Sequence, residues 1–265
     1  MPQTHTRIVV VMPAYNESEG IPGFITEVTA ALAPLAEEIR VFVADDRSTD
    51  DTAALLAAMP GVAVETQPQN RGHGPTALAA YRLGLAAQPD VLVHVDGDGQ
   101  FHGSDIARVV AALDASGADV VHGVRTGRTD AWYRRVLTFC VRLLVAAASG
   151  TAIPDVNTPL RAYRPSAARA LVEAVPADTQ VPHVHFSFAE ARGDFDVRYA
   201  RVASIPRRGA SDTGTMWGRA TRLLPPKRLR ALMGDALVEL WRLSLRPGAP
   251  LRALKRPAIP EDAAA

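Results

Sequence analysis

One cysteine, Cys140, stands in a chain of 265 residues, which excludes an internal disulfide framework and a cysteine-built zinc site. That scarcity fits a reducing compartment, so a cytoplasmic location is expected. Long apolar runs are missing as well. The best candidate, LLVAAASGTAIP between Arg142 and Asp155, falls well short of the roughly 20 apolar residues a spanning helix needs. No transmembrane helix is expected. The apolar run ahead of Pro13 has no small-residue cleavage site and reads as a strand, so secretion is not expected either. Aromatic residues make up only 6%, the basic half interleaves none of them with its arginines, and no Cys/His finger spacing occurs. Nucleic acid is therefore not an expected partner.

What the chain does have is an uneven distribution of charge. The formal net charge is +1, yet residues 1–130 carry 8 Arg/Lys against 17 Asp/Glu, and the remainder carries 21 against 11. An acidic half suits a cation, and a basic half suits phosphates or an anionic membrane surface. Residues 198–256 alone hold 14 Arg/Lys against 3 Asp/Glu.

Short β-rich runs at 7–12, 39–44, 62–66, 91–95 and 119–122 alternate with helical patterns at 21–32, 51–59, 75–87 and 104–115. This is βαβα order, and it predicts an α/β fold with a mainly parallel sheet covered by helices on both faces. Further on, a helix is expected over 134–149, a turn-rich segment over 155–164, a helix from Ser166 and a strand over 195–202. From Lys227 onward Leu229, Leu232, Met233, Ala236, Leu237, Leu240 and Trp241 mark one face of an amphipathic helix. Packing on the core and lying on an anionic leaflet are both open to it. The expected organisation is a catalytic domain over 1–212, a helical extension over 213–245 and a flexible, proline-rich tail over 246–265.

In open α/β sheets ligands gather beyond the carboxyl ends of strands. Five consecutive strand ends here are polar: Pro13 to Glu17, Asp45 to Asp50, Gln69 to Gly72, Asp96 to Gln100 and Gly123 to Arg125. Asp96 and Asp98 flank a glycine that lets their carboxylates turn toward one point, the geometry preferred by Mg²⁺ or Mn²⁺, with Gln100 able to add an oxygen. Taken alone the triplet is equally an Asx turn, and the other strand ends favour the cation. Adjacent carboxylates at Asp45-Asp46 repel each other and call for a donor-rich ligand or a cation. Tyr15 and Glu17 offer a ring and a carboxylate to a nucleoside. Arg125, Arg134-Arg135 and Arg207-Arg208 are candidates for phosphate. The G-x-G-x-x-A spacing of Gly72 to Ala77 is read as close backbone packing at a helix start, because Pro75 removes an N–H that a pyrophosphate site would use. His183 and His185 are read as surface or core residues.

Together, Val11 to Glu17, Asp45 to Thr52, Asn70 to Gly74, Asp96 to Gln100 and Gly123 to Arg125 resemble the inverting GT-A glycosyltransferases of family 2, closest to the dolichyl- and polyprenyl-phosphate mannosyltransferases. The resemblance implies a GT-A, Rossmann-like fold and hexose transfer from GDP-mannose or UDP-glucose to a polyprenyl phosphate at a membrane surface, with the protein peripheral on the inner face. A non-lipid acceptor, or nucleotide-sugar binding without catalysis, is the alternative. By the same resemblance Asp96, Asp98 and Gln100 hold the cation, and Asp98 and Arg125 serve catalysis. Pro13, Tyr15, Glu17, Asp45, Asp46, Asp96, Arg125, Arg207 and Arg208 contact the donor, and Arg134, Arg135 and Asp155 the acceptor. Pro159 and Leu160 stand where the family usually has Gly-Phe.

Overall fold

The computed structural model describes residues 4–127, 132–209 and 227–258. Its centre is a seven-stranded sheet in the order β3-β2-β1-β4-β6-β5-β7. β1 (His5–Ala14) lies parallel to β2 (Ala36–Asp45) on one side and to β4 (Val91–His94) on the other, while β3 (Val62–Thr66) pairs with the outer edge of β2. These strands read as continuous Val/Ile runs because both faces are covered. Ile8, Val10 and Met12 point into a cluster with α1 (Ile21–Leu32) and α4 (Gly103–Ser116). Val9 and Val11 point the other way, into a cluster with α3 (His73–Ala86), α6 (Pro165–Glu173) and α7 (Pro182–Arg192). The expected α/β class and two-faced cover are thus observed, and α2 (Thr52–Ala57) completes the first half.

Beyond β5 (Val120–Thr126) the structure departs from expectation. The 155–164 segment, expected as turns, contains β6 (Arg161–Tyr163), which is antiparallel to both β4 and β5 and fully buried between them. A strand of three residues that includes an arginine has no β-rich signature of its own. α7 was not expected, because His183, His185, Ser187 and Glu190 are all buried on it and break the apolar period. β7 (Val197–Ala203) then pairs in parallel with β5.

α5 (Trp132–Ser149) buries Val145 but leaves Trp132, Val136, Phe139 and Leu143 each more than half exposed, in a row at helical spacing. The expected boundary at 212/213 falls outside the described residues. α8 (Lys227–Leu240) runs into a π-helical turn, Trp241–Leu245. Glu239 and Ser244 anchor this helix by accepting from the Gln180 N–H (2.9 Å) and by bonding to His185 Nδ1 (2.7 Å), respectively, while Leu237, Val238 and Trp241 face outward. The segment after Arg246, expected to be flexible, is seated on the body as far as it is described. Pro250 opens α9 (Pro250–Ala253), Leu251 is buried, the Arg256 N–H donates to the Gly193 carbonyl at 2.8 Å, and the Arg256 guanidinium lies 2.7 Å from Asp119. Proline at the first helical position starts a helix as readily as it loosens a tail.

Candidate active site

β1, β2 and β4 end side by side, and backbone bonds lace their loops together. The Asp46 N–H donates to the Ala14 carbonyl at 2.8 Å, the Gly97 N–H to Pro13 at 3.1 Å, and the Gln67 N–H to Asp45 at 2.8 Å. Gly97 sits so close to β1 that a Cβ there would lie 2.9 Å from both the Pro13 oxygen and Ile21 Cδ1. Gly97→Ala is therefore expected to cost about 1–3 kcal/mol, because a backbone oxygen cannot step aside. Urea unfolding at equilibrium measures this, and an unchanged midpoint would show that the loop has room to shift.

The loop that follows sets Asp96 and Asp98 close to Glu17, and among the described residues Arg207 is the arginine that opposes the three carboxylates. The Asp98 carboxyl is pushed up to about 6, by burial and then by the neighbouring Asp96 charge. Glu17 is pushed up to about 7, chiefly by burial and against the pull of Arg207, with Asp98 and Asp96 adding to the rise. Asp96 Oδ1 is buried with no hydrogen-bond partner among the described residues, and His73 Nε2 stands 3.6 Å from it. Such a set fits a hard divalent cation, which would quench the mutual repulsion and take up the orphaned oxygen. Among the described residues no three His, Cys, Asp or Glu side chains converge as a complete cage. Phosphate oxygens of a ligand would have to supply the remaining donors, as is usual for magnesium and manganese. Gln100 is half-buried and donates its backbone N–H to Asp98 Oδ1 at 3.2 Å.

The residues expected at the nucleotide divide into two groups. Pro13 and Tyr15 stand at the end of β1, Tyr15 half-buried. Asp45 and Asp46 are turned inward instead. Asp45 bonds the hydroxyl of Ser48, and Asp46 accepts the N–H groups of Arg71 (2.7 Å) and Gly72 (2.9 Å). Burial raises the Asp46 pKa, with those two N–H groups opposing it. Both carboxylates thus shape the loops in this structure. Asn16, which the sequence reading passed over, ties β1 to β2: its backbone N–H donates to Ser48 Oγ at 2.9 Å and its Oδ1 accepts the Thr49 N–H at 2.8 Å.

Arg207 and Arg208 have opposite fates. The segment after β7 crosses the Asp96–Gln100 loop, with Ile205 N–H bonded to Gln100 O and Arg208 N–H to Asp98 O, both at 3.1 Å. Arg207 then turns toward the site and pairs with Glu17. Arg208 points away, donating to Gly99 O (3.0 Å) and Phe101 O (3.1 Å), pairing with Glu27 at 2.5 Å and lying over the Phe24 ring. Expected at phosphate, Arg208 here supports the carboxylate loop instead, from the side away from Glu17.

On the other flank, Arg125 at the end of β5 grips Asp155 with two bonds, 2.8 and 3.1 Å, and donates to Asn157 O at 3.1 Å. The pair forms one end of an open groove of about 640 Å³, whose lining includes Arg135, Arg142, Trp132, Val136 and Phe139 of α5. Arg134 lies on the same helix.

Below this flank is a buried polar hub that the sequence reading missed. Arg161, fully buried, reaches Glu190 at 3.3 Å, the His183 carbonyl at 3.0 Å and Ser187 Oγ at 2.9 Å. Tyr163 donates to Glu190 at 2.8 Å, and His122 lies 2.8 Å from its other oxygen. Burial alone would raise the Glu190 pKa, but His122 and Arg161 outweigh it and hold the carboxyl below its usual range. His94, last residue of β4, stacks on Tyr81 and donates from Nδ1 to Pro159 O at 2.7 Å. A histidine within the run Val-Leu-Val-His-Val was the available signal.

The family model for Glycosyl transferase family 2 matches residues 9–171. An undecaprenyl-phosphate 4-deoxy-4-formamido-L-arabinose transferase of Enterobacter sp. (strain 638) is 32% identical over 198 residues, covering 73% of this chain and 60% of the relative. That of Pseudomonas fluorescens (strain SBW25) is 34% identical over 197 residues, covering 73% and 57%. The chain thus spans 60% or less of the length of these relatives. Among solved structures, glucosyl-3-phosphoglycerate synthase from Mycobacterium tuberculosis, in complex with Mn²⁺, UDP and phosphoglyceric acid, superposes with a TM-score of 0.63 at 21% identity, covering 92% of this chain and 80% of that one. A mannosyltransferase from Pyrobaculum calidifontis in complex with GDP-Man and Mn²⁺ gives 0.52 at 18%, covering 79% and 60%. These likenesses are of fold.

Proposed function

Since the chain belongs to glycosyl transferase family 2, we propose that it transfers a hexose from a nucleoside-diphosphate sugar to a polyprenyl phosphate. The observation that carries the acceptor class is the groove beside Arg125. It joins the cationic side chains of Arg125, Arg135 and Arg142 to the exposed rings of Trp132 and Phe139. That combination suits a ligand with an anionic head and a hydrocarbon body. The polyprenyl-phosphate transferases similar to this chain support the same reading.

In this reading Asp96 and Asp98, with Gln100, would hold Mg²⁺ or Mn²⁺, which when bound would offer positive charge to a departing diphosphate. Pro13, Tyr15 and Glu17 line the nucleoside side, with Asp45 and Asp46 fixing the loops around it. Arg207 exchanges Glu17 for donor phosphate, and Arg125 orients the acceptor phosphate with Arg134 and Arg135, itself held by Asp155. An acceptor phosphate oxygen attacks the anomeric carbon, that carbon's bond to the diphosphate oxygen breaks, and configuration inverts. A phosphate is already ionised, so the step needs no general base. UDP-glucose and GDP-mannose are the donors to try first. The outward row on α5, with Arg135 and Arg142 beside it, and the exposed Leu237, Val238 and Trp241 support peripheral contact with an anionic leaflet. No helix among the described residues is long and apolar enough to cross a membrane.

The test is release of UDP or GDP from each donor with MnCl₂ or MgCl₂, with and without undecaprenyl phosphate. Lipid-dependent release is the expected result, and release no faster than without lipid removes the acceptor assignment. Reversing charge at both Arg135 and Arg142 to glutamate is expected to raise the lipid KM by about tenfold or more while the donor KM holds. Equal effects on both constants would place the arginines elsewhere in the reaction.

A further inference from the structure

The Pro159 carbonyl is bonded by a side chain from strand β4, His94. The oxygen can only accept, so Nδ1 of His94 carries the proton and Nε2 is left with a bare lone pair. That nitrogen is buried with no partner among the described residues. The ring is clamped between Tyr81, stacked at 4.6 Å, and the edge of His183 at 4.5 Å. An apolar side chain would fill this slot without stranding a nitrogen, so what the imidazole adds is the bond to Pro159.

The bond links two segments that matter to the site. His94 lies two residues ahead of Asp96 on β4, and opposite Arg161 in the β4–β6 ladder, where the register ends. The 155–160 segment is otherwise held from its own side of the sheet. Arg161 donates to Thr158 O (3.0 Å) and Val156 O (3.3 Å), Ser187 to Val156 O (2.9 Å), and the Gly123 N–H to Leu160 O (2.8 Å). Among the described side chains bonded to the segment, His94 is the one that comes from the strand delivering the carboxylate loop. On its outer edge the segment carries Asp155 and the Asn157 carbonyl, which together fix Arg125.

We propose that His94 is a positioning residue: by holding Pro159 it sets the 155–160 segment, and with it the Asp155–Arg125 pair, at a fixed distance from the Asp96–Gln100 loop. In kinetic terms the proposal rests on the sugar-transfer reading above; in structural terms it does not. Misplacing a phosphate-orienting guanidinium by a fraction of a bond length slows the acceptor step without weakening donor binding.

The experiment compares His94→Leu, which keeps bulk but has no donor, with His94→Asn, whose amide N–H₂ occupies the place of Nδ1–H. For each, kinetics with undecaprenyl phosphate are measured beside calorimetric affinity for UDP with Mn²⁺ and amide hydrogen exchange over 155–160. His94→Leu is expected to lose about tenfold in kcat/KM for the lipid, the worth of a buried hydrogen bond, and to exchange faster over 155–160. UDP affinity should stay within about twofold of wild type, and His94→Asn should recover most of both losses. Wild-type lipid kinetics and exchange in His94→Leu would overturn the proposal. So would a loss that falls equally on UDP affinity and is not rescued by asparagine, which marks a core filler. Should His94→Leu fail to fold, His94→Asn decides alone: wild-type protection over 155–160 upholds the role and lost protection overturns it. Should no donor be turned over, the exchange measurement still decides, so failure of the transfer reading and failure of this one remain distinct.

Discussion

Asp98→Asn is expected to abolish Mn²⁺-dependent UDP binding and to reduce transfer at least about 100-fold, the scale on which a preorganised electrostatic partner of a leaving group acts, while the ligand-free protein melts higher than wild type. The two effects share one cause. Asparagine keeps the shape and still accepts the Gln100 N–H through Oδ1, but it deletes a charge that is buried and faces Asp96. Asp98 and Glu17 both bind their proton more tightly in the folded chain than in the unfolded one, at about 6 and about 7. Without a cation the folded state therefore holds the extra protons, and stability falls as pH rises from the ordinary carboxylate range through those values. Divalent cation with UDP should reverse this trend, raising the melting temperature more at about pH 7.5 than at about pH 5.5, on either side of the two shifted values. Thermal shift across that range, with and without MnCl₂ and UDP, measures both arms. Undiminished UDP affinity in Asp98→Asn would remove the carboxylate loop from the cation site.

Glu190→Ala should be the most destabilising single change outside the apolar core. It leaves Arg161 without its carboxylate at full burial, takes the acceptor from the Tyr163 O–H and empties the space beside His122. Breaking one side of a buried ion pair costs about 3–5 kcal/mol, and in a chain of this size each kcal/mol is worth about 2–4 °C in Tm. A fall on the order of 10 °C follows, measurable by calorimetry. Glu190→Gln should lose less, since it still accepts from Tyr163. A fall of only a degree or two in Glu190→Ala would mean that water or a rearranged Arg161 replaces the carboxylate.

Much of the parallel half could be read from the chain directly. Ile8 to Met12 and Val91 to Val93 are apolar without alternation because helices cover both faces, and that unbroken pattern is itself the mark of a buried parallel strand. The strand-end motifs then follow from topology alone, and the parallel strands do deliver Pro13, Asp45 and Asp96 to one edge. What the chain hid was polarity inside the body. α7 has no apolar stripe because it is buried all round from Pro182 to Glu190, with His183, His185, Ser187 and Glu190 set among Val184, Phe186 and Phe188, and β6 has no strand signature because Arg161 is one of its three residues. Neighbouring identical residues were equally opaque. Nothing in the pair Arg207-Arg208 tells which guanidinium turns to Glu17 and which to Glu27 until the backbone crossing over Asp98 and Gln100 is known. The prolines after Arg246 misled for a similar reason, since the partners of that segment, Gly193 and Asp119, are remote in sequence.

The placement of β6 between β4 and β5 has a bearing on how the molecule is made. β5 is synthesised before β6, yet the two strands that flank the slot, both parallel to β1, must stay apart until residues 161–163 arrive to fill it antiparallel to each. During that interval β4 and β5 each present an open edge, the kind of surface that recruits wrong partners. A nascent chain halted before residue 161 would hold the carboxylate loop but a divided sheet, and it should bind a chaperone that recognises exposed strands far more readily than a chain released after β7, which covers the other edge of β5.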